Sequence, residues 1–268
     1  MNYSTATVAV LGATGKTGSQ VLAVLSDAGI VARALTRDLS NARQLPFTEW
    51  IQGDMNDTAC LRTLLEGCNR LYLNSGLSST MVEEQSRIID EAKRYGVKYI
   101  LRLSSPAARP DATDNPGKWH WQADEYLRLS GLQWNVLRPQ SFMQNWLGEL
   151  AASVKGERSI YEAAGGGKKA FIHTRDIGNV AAALFNDPGE WVNAAIPLSG
   201  PAAISYHEVA AAISVAIEEP VTYVELSPAD ARQRVMQKEE CRPGWQIYTF
   251  LRPPPSVAEQ LKNCSAIM

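Results

Sequence analysis

The most constraining feature of the chain is a glycine spacing near its start. An apolar run, Val8-Ala9-Val10-Leu11, leads into Gly12-Ala13-Thr14-Gly15-Lys16-Thr17-Gly18, and Ser19 to Leu25 continue with helical apolar spacing. A strand turning sharply into a helix uses each glycine differently: Gly12 for the tight turn, Gly15 for close approach of a diphosphate, Gly18 for helix–strand packing. The helix N-terminus adds open N–H groups and a partial positive charge. The segment therefore predicts a dinucleotide phosphate cradle, with Thr14, Lys16 and Thr17 among its binding residues. The plainer alternative is an ordinary tight strand-to-helix turn. No Gly-Lys-Ser/Thr follows a glycine across a four-residue gap, so this is not a mononucleotide phosphate loop.

Up to residue 140, strand-like runs alternate with helical patterns. The strands are Thr7–Leu11, Val31–Leu35, Thr48–Gln52, Arg70–Leu73, Val97–Leu103 and Gln133–Leu137. Six such runs with helical crossovers predict an α/β fold, a Rossmann-type doubly wound parallel sheet. Asp57 caps Thr58–Leu65, Thr80 and Glu83 form a capping box, Gly96 closes that helix, and a further helix runs from about Lys118 to Leu129. After Pro139 the elements shorten. A helix over 142–154 is followed by strands at Arg158–Glu162, Ala170–His173, Ala194–Leu198 and Val221–Glu225. Asp176 is read as the cap of Ile177–Phe185, Ser205 and Glu208 as a second capping box, and Pro228 as the first residue of a helix. No Gly/Ser linker separates the halves. Residues 1–140 are thus predicted to be a nucleotide-binding domain, and 141–268 a small α/β substrate lobe packed on it. Arg252-Pro253-Pro254-Pro255 is a stiff connector into a last short helical pattern.

The end of the second strand distinguishes the two nicotinamide dinucleotides. An Asp or Glu about 20 residues past the glycines would hold a ribose 2′-hydroxyl. Here the chain reads Ala34-Leu35-Thr36-Arg37, and Asp38 comes one step too late. The planar guanidinium of Arg37, helped by Lys16, suits a 2′-phosphate. NADP(H) is therefore favoured over NAD(H), against the alternative that Arg37 is a solvated surface charge.

Composition excludes other classes. Lys+Arg total 26 against Asp+Glu 28, a net charge of -2, which lacks the basic footprint of a nucleic-acid binder. No apolar run reaches the length of a spanning helix, and the N-terminus has no signal-peptide pattern. Cys60, Cys68, Cys241 and Cys264 form no CxxC or framework spacing and read as free thiols of a cytoplasmic protein. His120, His173 and His207 pair with no ligand at metal spacing, so no metal site is predicted. No GxSxG occurs, and Asp111 and Asp114 in a proline-rich loop read as solvated.

With the glycine loop, Thr36-Arg37-Asp38 and Gly53-Asp54-Met55 in place, the chain resembles the NmrA-like branch of atypical short-chain dehydrogenases. Leu103-Ser104-Ser105, Ser130-Gly131-Leu132, Leu137-Arg138-Pro139, Phe142-Met143-Gln144-Asn145, His173-Thr174-Arg175-Asp176-Ile177 and Pro253-Pro254 with Val257 extend the resemblance over the whole chain. The resemblance implies that Asp54 and Met55 lie near the adenine, that Asn74, Ser75 and Gly76 follow the cofactor, and that Ser104 and Pro139 approach the nicotinamide. It includes quinone reductases, iminium-reducing dehydrogenases and regulators that sense NAD(P) without turnover.

No tyrosine has lysine four residues later, so the usual Tyr-x-x-x-Lys acid is absent. The matching region places His120 and Asp124 at that spacing, with His120 either a group that donates a proton or bonds the substrate or nicotinamide ribose, or a structural helix residue. Trp121, Phe142 and Trp146 are candidates for an apolar substrate pocket. Together these features predict an NADPH-dependent reductase, monomeric or homodimeric, acting on a small apolar quinone, iminium or activated carbonyl. The rival expectation is a non-catalytic NAD(P) sensor.

Overall fold

The structure is a computed structural model and describes residues 7–147 and 149–239. The chain begins β1 (Thr7–Val10), α1 (Gly18–Asp27), β2 (Val31–Thr36), β3 (Thr48–Gln52), α2 (Thr58–Leu65), β4 (Arg70–Leu73) and α3 (Met81–Arg94). It continues through β5 (Tyr99–Leu103), α4 (Asn115–Leu129), β6 (Gln133–Pro139), α5 (Glu149–Glu157), β7 (Ser159–Glu162) and β8 (Lys168–Lys169). Then come α6 (Thr174–Asn186), β9 (Ala194–Leu198), β10 (Ile204–Ser205), α7 (Tyr206–Ile217), β11 (Thr222–Glu225) and α8 (Pro228–Glu239). These elements form two compact units, Met1–Gln144 with Phe171–Pro201, and Asn145–Ala170 with Ala202–Met268.

The first unit is a seven-stranded sheet in the order β3-β2-β1-β4-β5-β6-β9, and every pairing in it is parallel. This is the Rossmann-type architecture. The strand order reverses between β1 and β4, where such sheets open a crevice at their carboxyl ends. Because side chains alternate along a strand, β1 supplies both cores. Val8 and Val10 pack with Leu25, Phe185 and neighbours on one face. Ala9 and Leu11 pack with Leu64, Ile88 and Leu127 on the other. Burial on both faces explains why β1 reads as a continuous apolar run.

The second unit is built on shorter ladders. Strand β7 pairs in parallel with β11, and β8 pairs antiparallel with β10. The capping box of α7 forms as expected: Ser205 Oγ accepts from the Glu208 N–H at 3.2 Å, and Glu208 Oε2 accepts from the Ser205 N–H at 2.7 Å.

Several expectations are corrected. The boundary at 140 is not where the units divide, because Phe171–Pro201 returns to the first unit. Its strand β9 covers the edge of β6, and Ile177, Ala181 and Phe185 of α6 join the core that holds α1. Asp176 does not cap α6; His173 does, its Nδ1 accepting from the Arg175 N–H at 3.0 Å. Thr80 makes no capping bond, since its backbone is already helical and its hydroxyl donates to Glu84 Oε1 at 2.6 Å. Asp114 is not an idle loop carboxylate but the cap of α4, accepting from the Gly117 N–H at 2.7 Å, and the helix starts at Asn115. The expected helix over 142–154 is a 3-10 turn, Met143–Leu147, followed by α5. The expected strand at Ala170–His173 reduces to a bridge between Phe142 and Ile172. Cys241, Cys264, Arg252–Pro255 and the final helical pattern lie outside the described residues.

Candidate active site

The glycine loop joins β1 to α1 at the carboxyl edge of the sheet. Gly12 has φ +67°, and a Cβ there would lie 2.7 Å from the Asn74 carbonyl oxygen, so only glycine fits. A Cβ on Gly18 would collide with the Gly12 carbonyl, which is the close strand–helix packing expected of the third glycine. Thr14, Gly15 and Lys16 form an exposed crest. Thr17 is buried, and its hydroxyl accepts from Asn74 Nδ2 at 3.1 Å. Thr17 and Asn74, both expected to touch cofactor, clasp the loop to the residue that follows β4.

Arg37 stands exposed just beyond β2. Asp38 is turned into its own 3-10 turn, accepting from the Ser40 N–H at 2.9 Å and the Ser40 hydroxyl at 2.8 Å. Those bonds hold its carboxyl below the usual range. A cleft of about 50 Å3 beside the crest is lined by Thr14, Ser19, Asn41, Arg43 and Trp50, among others. Arg43 escaped the sequence reading; a second cation six residues past Arg37 was the available signal. Asp54 is half-buried and accepts from the Asn56 N–H at 2.8 Å, while Met55 packs partly on the core and its carbonyl accepts from Arg87 at 2.8 Å.

The carboxyl ends of β4, β5 and β6 carry a different construction. Arg102, in β5, is fully buried. Its Nε donates to Gln85 Oε1 at 2.6 Å, its Nη1 to Asp124 Oδ1, and its Nη2 faces His120 Nδ1 at 3.2 Å. Gln85 Nε2 passes on to Ser75 Oγ at 2.8 Å. Asp124 Oδ2 accepts from Ser104 Oγ at 2.8 Å and from Arg138 Nη2 at 2.9 Å. One network therefore ties Ser75, Ser104 and His120, three predicted site residues, to Gln85, Arg102 and Arg138, which the sequence reading did not single out. The missed signal was a guanidinium inside the strand Tyr99-Ile100-Leu101-Arg102-Leu103, where a sheet buried on both faces admits no unpaired charge.

Burial, followed by Arg102 and Arg138, pushes the His120 imidazole down to about 3. Burial also presses the Arg102 guanidinium downward, opposed by the Asp124 charge. Pro139 is buried at the end of β6 in register with Leu198, and Ser75 and Gly76 follow β4. Trp121 is half-buried on α4. Phe142 packs against the core of the first unit. Trp146 belongs to the second unit, its ring edge-on to Tyr206 at 5.9 Å. Among the described residues there is no cluster able to hold a metal ion, and no helix long and apolar enough to cross a membrane.

A family model described as "NmrA-like family" matches residues 4–243. The chain belongs to the NmrA-like family. Within reach of that family, the chain is 33% identical over 228 residues to an NAD(P)H azoreductase of Xenophilus azovorans, covering 84% of this chain and 79% of the relative. It is 32% identical to a festuclavine dehydrogenase of Aspergillus fumigatus, covering 84% and 78% of the two chains. Among solved structures, an NADPH-dependent quinone oxidoreductase from Escherichia coli, complexed with NADPH, superposes with TM-score 0.73 at 27% identity. That match covers 85% of this chain and 82% of the other.

Proposed function

We propose that this NmrA-like protein is an NAD(P)H-dependent oxidoreductase that reduces a small, largely apolar electrophile such as a quinone, an iminium or an activated carbonyl. The observation that carries the reading is the pairing of two features on one sheet edge. They are an open glycine crest at the N-terminus of α1 and a buried polar network at the ends of β4, β5 and β6. The activities of the azoreductase, festuclavine dehydrogenase and quinone oxidoreductase relatives point the same way.

The residues fit a nicotinamide dinucleotide. Gly12 and Gly18 leave no room for side chains, Gly15 carries none at the crest, and α1 presents its N-terminus there. Thr14, Gly15, Lys16 and Gly18 would hold the diphosphate, Asp54 and Met55 the adenine end, and Asn74, Ser75, Gly76, Ser104 and Pro139 the nicotinamide half. Arg37, with Arg43 near it in sequence, would read a 2′-phosphate, which favours NADP(H). When bound, the dinucleotide supplies hydride. The chain itself orients, polarises and shields. Ser104 spends its hydroxyl proton on Asp124, so toward a ligand it can only accept. Trp121 is proposed as an apolar wall of the substrate pocket; Phe142 serves that role only through the part of its ring not packed on the core.

The test follows NADPH absorbance with uncharged quinones, azo compounds, cyclic iminiums and simple ketones. The expected result is rapid turnover of at least one of the first three classes. Rapid reduction of simple ketones alone would overturn the reading. Tight NADPH binding with no turnover of any class would favour a sensor instead.

A further inference from the structure

The two sides of His120 are chemically unlike. Nδ1 faces Arg102 Nη2 at 3.2 Å. A guanidinium carries donors only, so this contact is a hydrogen bond only when Nδ1 is the unprotonated, accepting nitrogen. The neutral ring must then carry its proton on Nε2. Nε2 has no hydrogen-bond partner among the described residues and is not sealed from solvent. The charged groups around the ring are Arg102 from β5, Arg138 from β6, and Asp124 one turn along α4. From α3 the network receives only the neutral Gln85. Two guanidiniums thus share one carboxylate, and a protonated imidazole would add a third positive charge and set donor against donor at Nδ1.

We propose that Arg102 is a positioning residue that fixes His120 as the uncharged Nε2–H tautomer, making it a hydrogen-bond donor for a neutral electrophile and not a source of protons. This rests on reading the β5–β6 end as the substrate site. A neutral imidazole that polarises an acceptor without titrating is a known catalytic pattern. The excess positive charge stabilises an acceptor atom that becomes negative on reduction, as a quinone oxygen does. It repels an acceptor that arrives as a cation. The substrate class is therefore the uncharged quinone or azo type over the iminium. In the balanced step, an uncharged quinone would take one hydride, that is one proton with two electrons, from NAD(P)H, which is left as NAD(P)+, and the quinone becomes a hydroquinone monoanion. The second proton comes from water.

Two measurements on the full-length protein test this. Histidine 15N NMR of the wild type, with the His120 signal assigned by its loss in His120→Gln, should show protonation at Nε2 alone, unchanged from pH 5 to 8. Protonation at Nδ1, or titration within that range, overturns the proposal. In turnover of an uncharged quinone, His120→Leu should lower kcat/KM by roughly 10²-fold, the loss typical of one fixed donor to a developing oxyanion. His120→Gln keeps an N–H donor and should recover about tenfold or more of that loss, with a flat pH profile. If glutamine is as poor as leucine, the residue supplies a proton and the proposal fails. Arg102→Gln removes the donor-only contact at Nδ1 and should let the Nδ1–H tautomer of His120 appear; if that variant does not fold, the wild-type spectrum still decides. The NMR readout needs no substrate. A wrong tautomer therefore overturns this inference even with turnover intact, whereas absence of any turnover overturns the functional reading with the tautomer unaffected.

Discussion

The two ends of the candidate site are made of different material. Beside β1 and β2 the chain offers backbone: an exposed glycine crest, a helix terminus, and arginines reaching from the surface. Beside β4, β5 and β6 it offers side chains: a buried guanidinium, a carboxylate with three donors, and a histidine held by one nitrogen. A backbone site depends on the fold being correct and tolerates loss of individual side chains. A buried network depends on every member, because removing one strands the charge or proton of another.

The sharpest way to break this contrast is Asp124→Ala. It leaves Arg102 buried without its carboxylate and frees Arg138, and should cost about 3–5 kcal/mol of stability, read as a lower denaturation midpoint. A variant as stable as the parent would show that the network is not integral to the fold. Arg37→Ala should behave oppositely, leaving stability unchanged. It should weaken NADPH binding by about 1.5–3 kcal/mol, roughly ten- to hundredfold, with little effect on NADH. Equal losses for the two cofactors would remove Arg37 as the reader of the 2′-phosphate.

The smallest effect is a pH dependence. Unfolded, His120 takes up a proton below about pH 6.5; folded, it does so only at about 3. Acid therefore favours the unfolded chain, and stability present above pH 6.5 is lost as pH falls toward 3. By pH 5 the loss should be about 1–2 kcal/mol, and His120→Gln should abolish that part of the slope. An unchanged slope in the variant would place the acid sensitivity elsewhere.

The same contrast explains what the sequence disclosed. Gly12, Gly15 and Gly18 announced the tight strand-to-helix turn because such a turn is written as spacing within a few residues. The central strands β1, β4 and β5 were legible because burial on both faces makes them mostly apolar runs. The network was not legible. Gln85, Arg102, Asp124 and Arg138 come from α3, β5, α4 and β6, and no local pattern links positions so far apart. Only the four-residue spacing of His120 and Asp124 hinted at it. The extent of the first unit was missed for a related reason: nothing local in Phe171–Pro201 says that β9 pairs with β6 rather than with a strand of its own half.

That return of the chain sets an order of events during synthesis. The segment Asn145–Ala170 leaves from Gln144 and comes back beside its departure point, where the Met143 N–H meets the Ile172 carbonyl at 2.9 Å and the Ile172 N–H meets Ser141 at 2.9 Å. A growing chain that has emerged only through β6 still has an unpaired strand edge and an uncovered face on α1. Domains ordinarily fold as they emerge, amino end first. Here the nucleotide-binding sheet must wait until part of the other unit has been made. Fragments ending near residue 140 should for that reason expose a sticky edge and aggregate, whereas those reaching past Pro201 carry every strand the sheet requires.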